Sequence, residues 1–362
     1  MSTKKSIIIS SVIIIGFALL FLAYRFFPNL QKLYLQHELE SKYTTLKETN
    51  YILYFPSTPK KLIFLVPTVR MDKFWNSSHI QTNLGLRIAK ILLERQIAVL
   101  LYDRIDGNAP PLTFFSPQKL REDFQTLINK INQEPIFQNQ ISEFSILAHG
   151  DGCNVALLAL DQIQDLKKLK DLYLFQCGYP NSLLDFYLEV IFLTMKITKV
   201  EEDIIQKAKE QANQWRQKTE YETITEEEWE KKQKEMIEKK IHPDIIAFLK
   251  TLYRFQFPEN QEFLKESKTI YFEKLLNSIL MKNVAVTHVL SEMDEEYPKE
   301  FIEHFRNQKP SSEKYQLHIL KNTDHFLFYN DEALTSPIEI LFHRNYPLHE
   351  ISDEVLELIN KM

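Results

Sequence analysis

Residues 144–158 read FSILAHGDGCNVALL. Phe144 to Ala148 is a short apolar run of strand length. Val155, Leu157, Leu158 and Leu160 follow as an apolar helix. Only His149 to Asn154 separate the two, with His149-Gly150-Asp151-Gly152 at the turn, so a buried strand must turn sharply into a helix. Two glycines in that turn carry weight, because the chain has only 6 Gly in 362 residues. Glycine is the residue for backbone with positive φ or for close approach of another chain segment.

The same alternation extends outward in both directions. KLIFLVP (61–67), IAVLLY (97–102), DLYLFQ (171–176), VAVTHVL (284–290) and YQLHIL (315–320) are further strand-like runs. Helical spacing appears at 79–95, from Ser116-Pro117 through Ile131, at 296–306 and at 351–361. Strands alternating with helices of about 10–15 residues predict parallel βαβ units with right-handed crossovers. The fold class expected is α/β: a mostly parallel sheet flanked by helices. Between about 180 and 280 the pattern changes to segments dense in Glu, Lys and Gln with a sparse apolar stripe. Thr225-Glu226-Glu227-Glu228 is a capping box that starts one helix there. This stretch is expected to be a helical cap inserted in the α/β domain.

The N-terminus reads differently. Ser6 to Tyr24 contains no charge (SIIISSVIIIGFALLFLAY), and about 20 apolar residues span a bilayer. A cleaved signal peptide would have a shorter apolar core and a small-x-small site, which Arg25-Phe26-Phe27 does not offer. The division expected is a membrane anchor over 1–28, a connector over 29–48 and the α/β domain over 49–362. The protein is then single-pass, with membrane contact through 6–24. Lys4 and Lys5 on one side nearly balance Arg25, Lys32 and Lys42 on the other. The reading adopted places the N-terminus inside and the body extracytoplasmic.

Composition excludes several classes. A formal net charge of -5 argues against nucleic acid as a partner. Two cysteines exclude a disulfide-rich scaffold and a four-cysteine zinc site. No H-E-x-x-H, P-loop or G-x-G-x-x-G occurs, so neither a metal nor a cofactor is expected. Cys153 and Cys177 follow neighbouring strands, and a disulfide between them is left open.

Ligands of open parallel sheets bind at the carboxyl ends of the strands. The residues there are Asp103-Arg104-Ile105-Asp106-Gly107, Ala148 to Gly152, Cys177-Gly178, Ser291 to Asp294, and Asn322 to Phe326. Their order and spacing resemble the α/β-hydrolase fold, especially serine hydrolases grouped with esterases, thioesterases and S33-type aminopeptidases. The resemblance covers about 50–345, apart from the detailed sequence of the insertion. Residues 146–158 resemble the nucleophile elbow, with Ala148, His149 and Gly152 in its flanking slots. Asp294 is similar in position to the triad acid and His325 to the triad base.

The elbow departs from the pattern where the pattern places serine: Gly150 stands there. Losing the nucleophile of a triad costs on the order of 10⁶ in rate. The oxyanion hole implied by the resemblance would use the N–H of Asp151 and that of Thr68 or Val69, because Pro67 has none. Three replacement nucleophiles deserve weighing. Cys153 reads first as a small buried side chain. Asp151 requires the elbow to shift by one residue. Ser291 reads first as a turn serine. Water activated by His325 and Asp294 in the space left at Gly150 is a fourth route. Two functions are therefore expected to compete: a binder of a small acyl-type ligand or protein partner, and a hydrolase of ester, thioester or amide bonds.

Overall fold

A computed structural model of the chain describes residues 30–48, 51–67, 83–102, 117–133, 135–163, 166–216, 223–294, 297–325, 327 and 350–362. The uncharged run 6–24, the donors Thr68 and Val69, the turn at 103–107 and the cap residue Ser116 lie outside these. Among the described residues no helix is long and apolar enough to cross a membrane.

The strands are β1 (Thr44–Lys47), β2 (Tyr51–Phe55), β3 (Lys61–Val66), β4 (Ala98–Tyr102), β5 (Glu143–His149), β6 (Leu169–Phe175), β7 (Ala285–Ser291) and β8 (Tyr315–Leu320). They form one sheet in the order β1-β2-β4-β3-β5-β6-β7-β8. The pairs β1/β2 and β2/β4 are antiparallel. Every pair from β4 to β8 is parallel. The six parallel strands are the six apolar runs of the sequence. Parallel strands are covered on both faces, so they read as continuous apolar runs and not as alternation.

Two cores follow. One face of the sheet packs on α3 (Pro117–Gln133), α4 (Pro135–Asn139), α5 (Gly152–Gln162), α11 (Phe272–Met281) and α12 (Lys299–Asn307). The other packs on α1, a helix over 30–42, with α2 (Leu84–Glu94) and α13 (Asp353–Lys361). Lys282, just past α11, donates to the carbonyls of Leu160 and Ile163 at 2.8 and 3.0 Å. A cation thereby satisfies carbonyls left over at the end of α5.

Residues 30–48, within the stretch expected as a connector, pack on the domain. They hold α1, whose Leu35 and Leu39 are buried, and the edge strand β1. TTLK is short, polar and half-exposed, and it gives no alternation to read.

Between β6 and β7 lie α6 (Leu183–Ile197), α7 (Glu202–Arg216), α8 (Glu226–Glu238), α9 (Pro243–Arg254) and α10 (Gln261–Ser267), then α11. The helical insertion is thus as expected, with α11 returning the chain to the sheet. The Thr225–Glu228 capping box starts α8. Trp229 is buried with Ile224, Ile246 and Phe257 in a small core of the cap itself.

Candidate functional site

The turn at the end of β5 has the geometry its sequence predicts. His149 is the last strand residue, Gly150 has φ +54, and Asp151 is already helical at φ -63, ψ -18. The residue at positive φ is therefore 150, and the shifted elbow that would promote Asp151 to its apex is not formed. A side chain on Gly152 would come within 2.6 Å of the Val66 carbonyl oxygen. Glycine there lets the start of α5 pass directly against the end of β3.

Asp294 and His325 lie 31 residues apart and meet at the carboxyl edge of the sheet. The Nδ1–H of His325 is shared between both carboxylate oxygens of Asp294, at 3.0 and 2.9 Å. Both residues are buried. With the proton on Nδ1, Nε2 is the basic nitrogen of the ring, the tautomer a general base requires.

The loops carrying the pair are tied down. Ser291 Oγ bonds the Thr323 carbonyl and accepts the N–H of Met293 at 3.2 Å. Thr323 Oγ1 donates to Ser352 Oγ at 2.8 Å. Ser291 is thus committed to the turn and supplies no nucleophile.

His149 lies beneath the turn, fully buried. Its Nε2 and the carbonyl oxygen of His325 are 2.7 Å apart. A carbonyl only accepts, so Nε2 carries the proton. The two rings meet edge to face with centroids 4.9 Å apart. Burial first, and then the neighbouring His325, push the His149 pKa down to about 3, so its ring stays neutral.

Cys153 and Cys177 are joined in a disulfide between the first turn of α5 and the exit of β6. Cys153 is therefore neither a lone apolar side chain nor an available thiol. The carbonyl of Cys177 also accepts from His288 Nε2 at 2.7 Å. Tyr297 bonds the carbonyls of Cys177 and Gly178, at 3.3 and 2.5 Å.

The cap reaches the elbow through one side chain that sequence reasoning missed. Tyr187 of α6 donates its hydroxyl to Asp151 Oδ2 at 3.0 Å. Its neighbour Phe186 stacks on Tyr179, which in turn bonds Asn154 Oδ1 at 2.8 Å. Nothing in the sequence pairs residues 36 positions apart across an insertion without a motif. Of the expected site, then, Ala148, His149, Gly150, Asp151, Gly152, Asp294 and His325 lie together at the elbow and the adjoining loop. Pro67 follows β3 beside Gly152, and Thr68 and Val69 fall outside the described residues. Among the described residues no cluster of His, Cys, Asp or Glu could hold a metal ion.

No protein-family model matches the sequence, and no curated protein matches it. Solved structures are similar in outline. An esterase of Pyrococcus furiosus has 11% identity and a TM-score of 0.45, over 80% of this chain and 84% of that one. A proline iminopeptidase of Mycobacterium smegmatis has 14% identity and a TM-score of 0.42, over 88% of this chain and 98% of that one. A putative lipase of Acinetobacter baumannii has 14% identity and a TM-score of 0.43, over 91% of this chain and 97% of that one. Likenesses this distant say nothing of activity. The chain's own eight-stranded, mostly parallel sheet, with a strand-turn-helix elbow at β5 and a helical insertion after β6, is an α/β-hydrolase fold.

Proposed function

We propose that this is a membrane-anchored α/β-hydrolase-fold protein that binds a small acyl-type ligand and lacks ordinary serine-hydrolase activity. One observation carries the reading. The elbow residue at positive φ, where the fold's pattern places the nucleophile, is Gly150. Glycine has no atom to attack with. The candidates around it do not replace it: Cys153 is in a disulfide, Ser291 is bonded into its turn, and Asp151 has left the apex.

A serine at φ +54 would sit in the left-handed region, which costs on the order of 1–3 kcal/mol for a side chain with a Cβ. A protein with no use for the nucleophile is more stable with glycine there. Tyr187 and its neighbour Phe186 set aromatic side chains of α6 beside the elbow, where the ligand is proposed to lie.

The Asp294–His325 bond favours a second reading, in which Nε2 of His325 activates water in the space beside Gly150. Such general-base catalysis is worth about 10²–10⁴-fold.

The experiment compares wild type, Gly150→Ser and His325→Ala in ester and thioester hydrolysis and in labelling by a fluorophosphonate. The binder reading expects an inert wild type and labelling gained in Gly150→Ser. Turnover by wild type that His325→Ala abolishes would replace it with the water-based hydrolase.

A further inference from the structure

The start of α1 lies at the same edge of the sheet as the candidate site. Helix α2 follows β3 and leads back to the start of β4, which runs parallel to β3. Its first residues are therefore at the carboxyl edge and its last at the amino edge. Helix α1 runs alongside in the same direction. Asn83 Nδ2, just before α2, is 3.5 Å from Gln31 Oε1. One turn from the other end, Lys90 Nζ is 2.9 Å from Glu38 Oε2. Leu30 and its neighbours thus sit at the carboxyl edge, where Gly150, Asp294 and His325 also lie.

That end of α1 carries an unpartnered apolar face. Leu30, Leu33 and Tyr34 share one side of the helix and are 62%, 63% and 68% exposed. Half of the exposed large apolar side chains among the described residues are these three, with Ile237, Tyr271 and Met281 scattered elsewhere. The opposite side of α1 holds Leu35 and Leu39 in the core, so the helix is fixed to the body. Five residues, 25–29, separate Leu30 from the uncharged run 6–24. At roughly 3.5 Å per residue the chain there reaches at most about 20 Å.

We infer that the carboxyl edge of the sheet faces the bilayer, with Leu30, Leu33 and Tyr34 seated in the headgroup layer, and that the ligand of the Asp294–His325 site is a membrane-resident amphiphile bearing an acyl chain. This rests on the reading of 6–24 as an anchor. A lipid moving laterally then meets the site without crossing bulk water. The aromatic side chains of α6 beside the elbow suit an alkyl chain, whose burial is favourable by apolar area alone.

The full chain in phosphatidylcholine vesicles tests both halves. Tyr34→Cys and, as a control toward the amino edge, Ser41→Cys are each labelled with an NBD fluorophore, the native cysteines being held in their disulfide. Nitroxide-bearing lipid is expected to quench residue 34 several-fold more than residue 41. Equal or reversed quenching, with the chain still floating with the vesicles, overturns the orientation and leaves the anchor. A chain that does not float overturns the anchor reading, and this inference with it. Vesicles doped with a phosphatidylcholine carrying a diazirine on its acyl chain are then irradiated. Crosslinks are expected within 150–162 and 183–197; crosslinks confined to 30–42, or none, overturn the ligand class.

Discussion

Gly152 and Gly150 are both glycines of one turn, and physics separates their tests. At Gly150 the constraint is backbone conformation, φ +54, so Gly150→Ser folds with a modest loss. At Gly152 the constraint is space, since any Cβ meets the carbonyl oxygens of Val66 and Pro67. Backbone cannot swing aside as a side-chain tip can. Gly152→Ala is therefore expected to cost more than Gly150→Ser, about 3 kcal/mol or above, in denaturant unfolding.

Two buried histidines set a pH dependence at the same scale. His149 and His288 are fully buried, and desolvation holds their pKa values down to about 3 and about 4. His288 donates from Nε2 to Cys177 and accepts the Tyr315 hydroxyl at Nδ1, 2.8 Å away. Unfolded, each would titrate near 6.5. Below that pH the unfolded chain binds protons that the folded chain refuses, so stability falls as pH falls from 6.5 toward 4. Each histidine contributes a slope of about 1.4 kcal/mol per pH unit in the lower part of that window. His288→Gln is expected to remove one such slope in unfolding titrations at pH 7, 6 and 5. An unchanged slope would mean that the ring takes up its proton while still buried.

At the scale of elements, what could be read depended on whether the signal was local. The Thr225–Glu228 box needs only four consecutive residues, and it starts α8 as written: Thr225 Oγ1 accepts the Glu228 N–H at 3.2 Å, and Glu228 accepts the Thr225 N–H at 2.8 Å. Thr225→Ala is expected to lower stability by about 1 kcal/mol, read as a shift of the denaturant midpoint. Glu228→Gln, which keeps the reciprocal bond, should shift it less. The six parallel strands were legible for the same reason, as each is a self-contained apolar run.

The elements that escaped carry their signal in a partner. TTLK becomes β1 only because YILYF stands beside it with Thr45 opposite Tyr54, and helix 30–42 is fixed by packing on α2. In the site, the glycines of the elbow and the order Gly150, Asp294, His325 could be read. Tyr187 on Asp151 could not, since that contact depends on how the cap folds over the sheet.

For the whole molecule the disulfide is the long-range constraint with a measurable size. It joins residues 24 positions apart, between α5 and the exit of β6, next to the elbow and at the root of the cap. Closing a loop of that length restricts the unfolded chain enough to stabilise the fold by about 3 kcal/mol. The Cys153→Ser, Cys177→Ser double variant is expected to lose about that much, and reductant should move wild type toward the variant while leaving the variant unmoved.

On the proposal that residues 6–24 anchor the chain, the same bond bears on which side of the membrane the body occupies. Such bonds persist in oxidising compartments and are reduced in the cytosol. With the body outside, the placement adopted for the proposed anchor, both thiols should resist maleimide in denaturing extracts made without reductant, and both should react after reduction. Reaction before reduction would place the body in a reducing compartment. The proposed span at 6–24 would then run the other way, with the carboxyl edge of the sheet meeting the cytoplasmic leaflet.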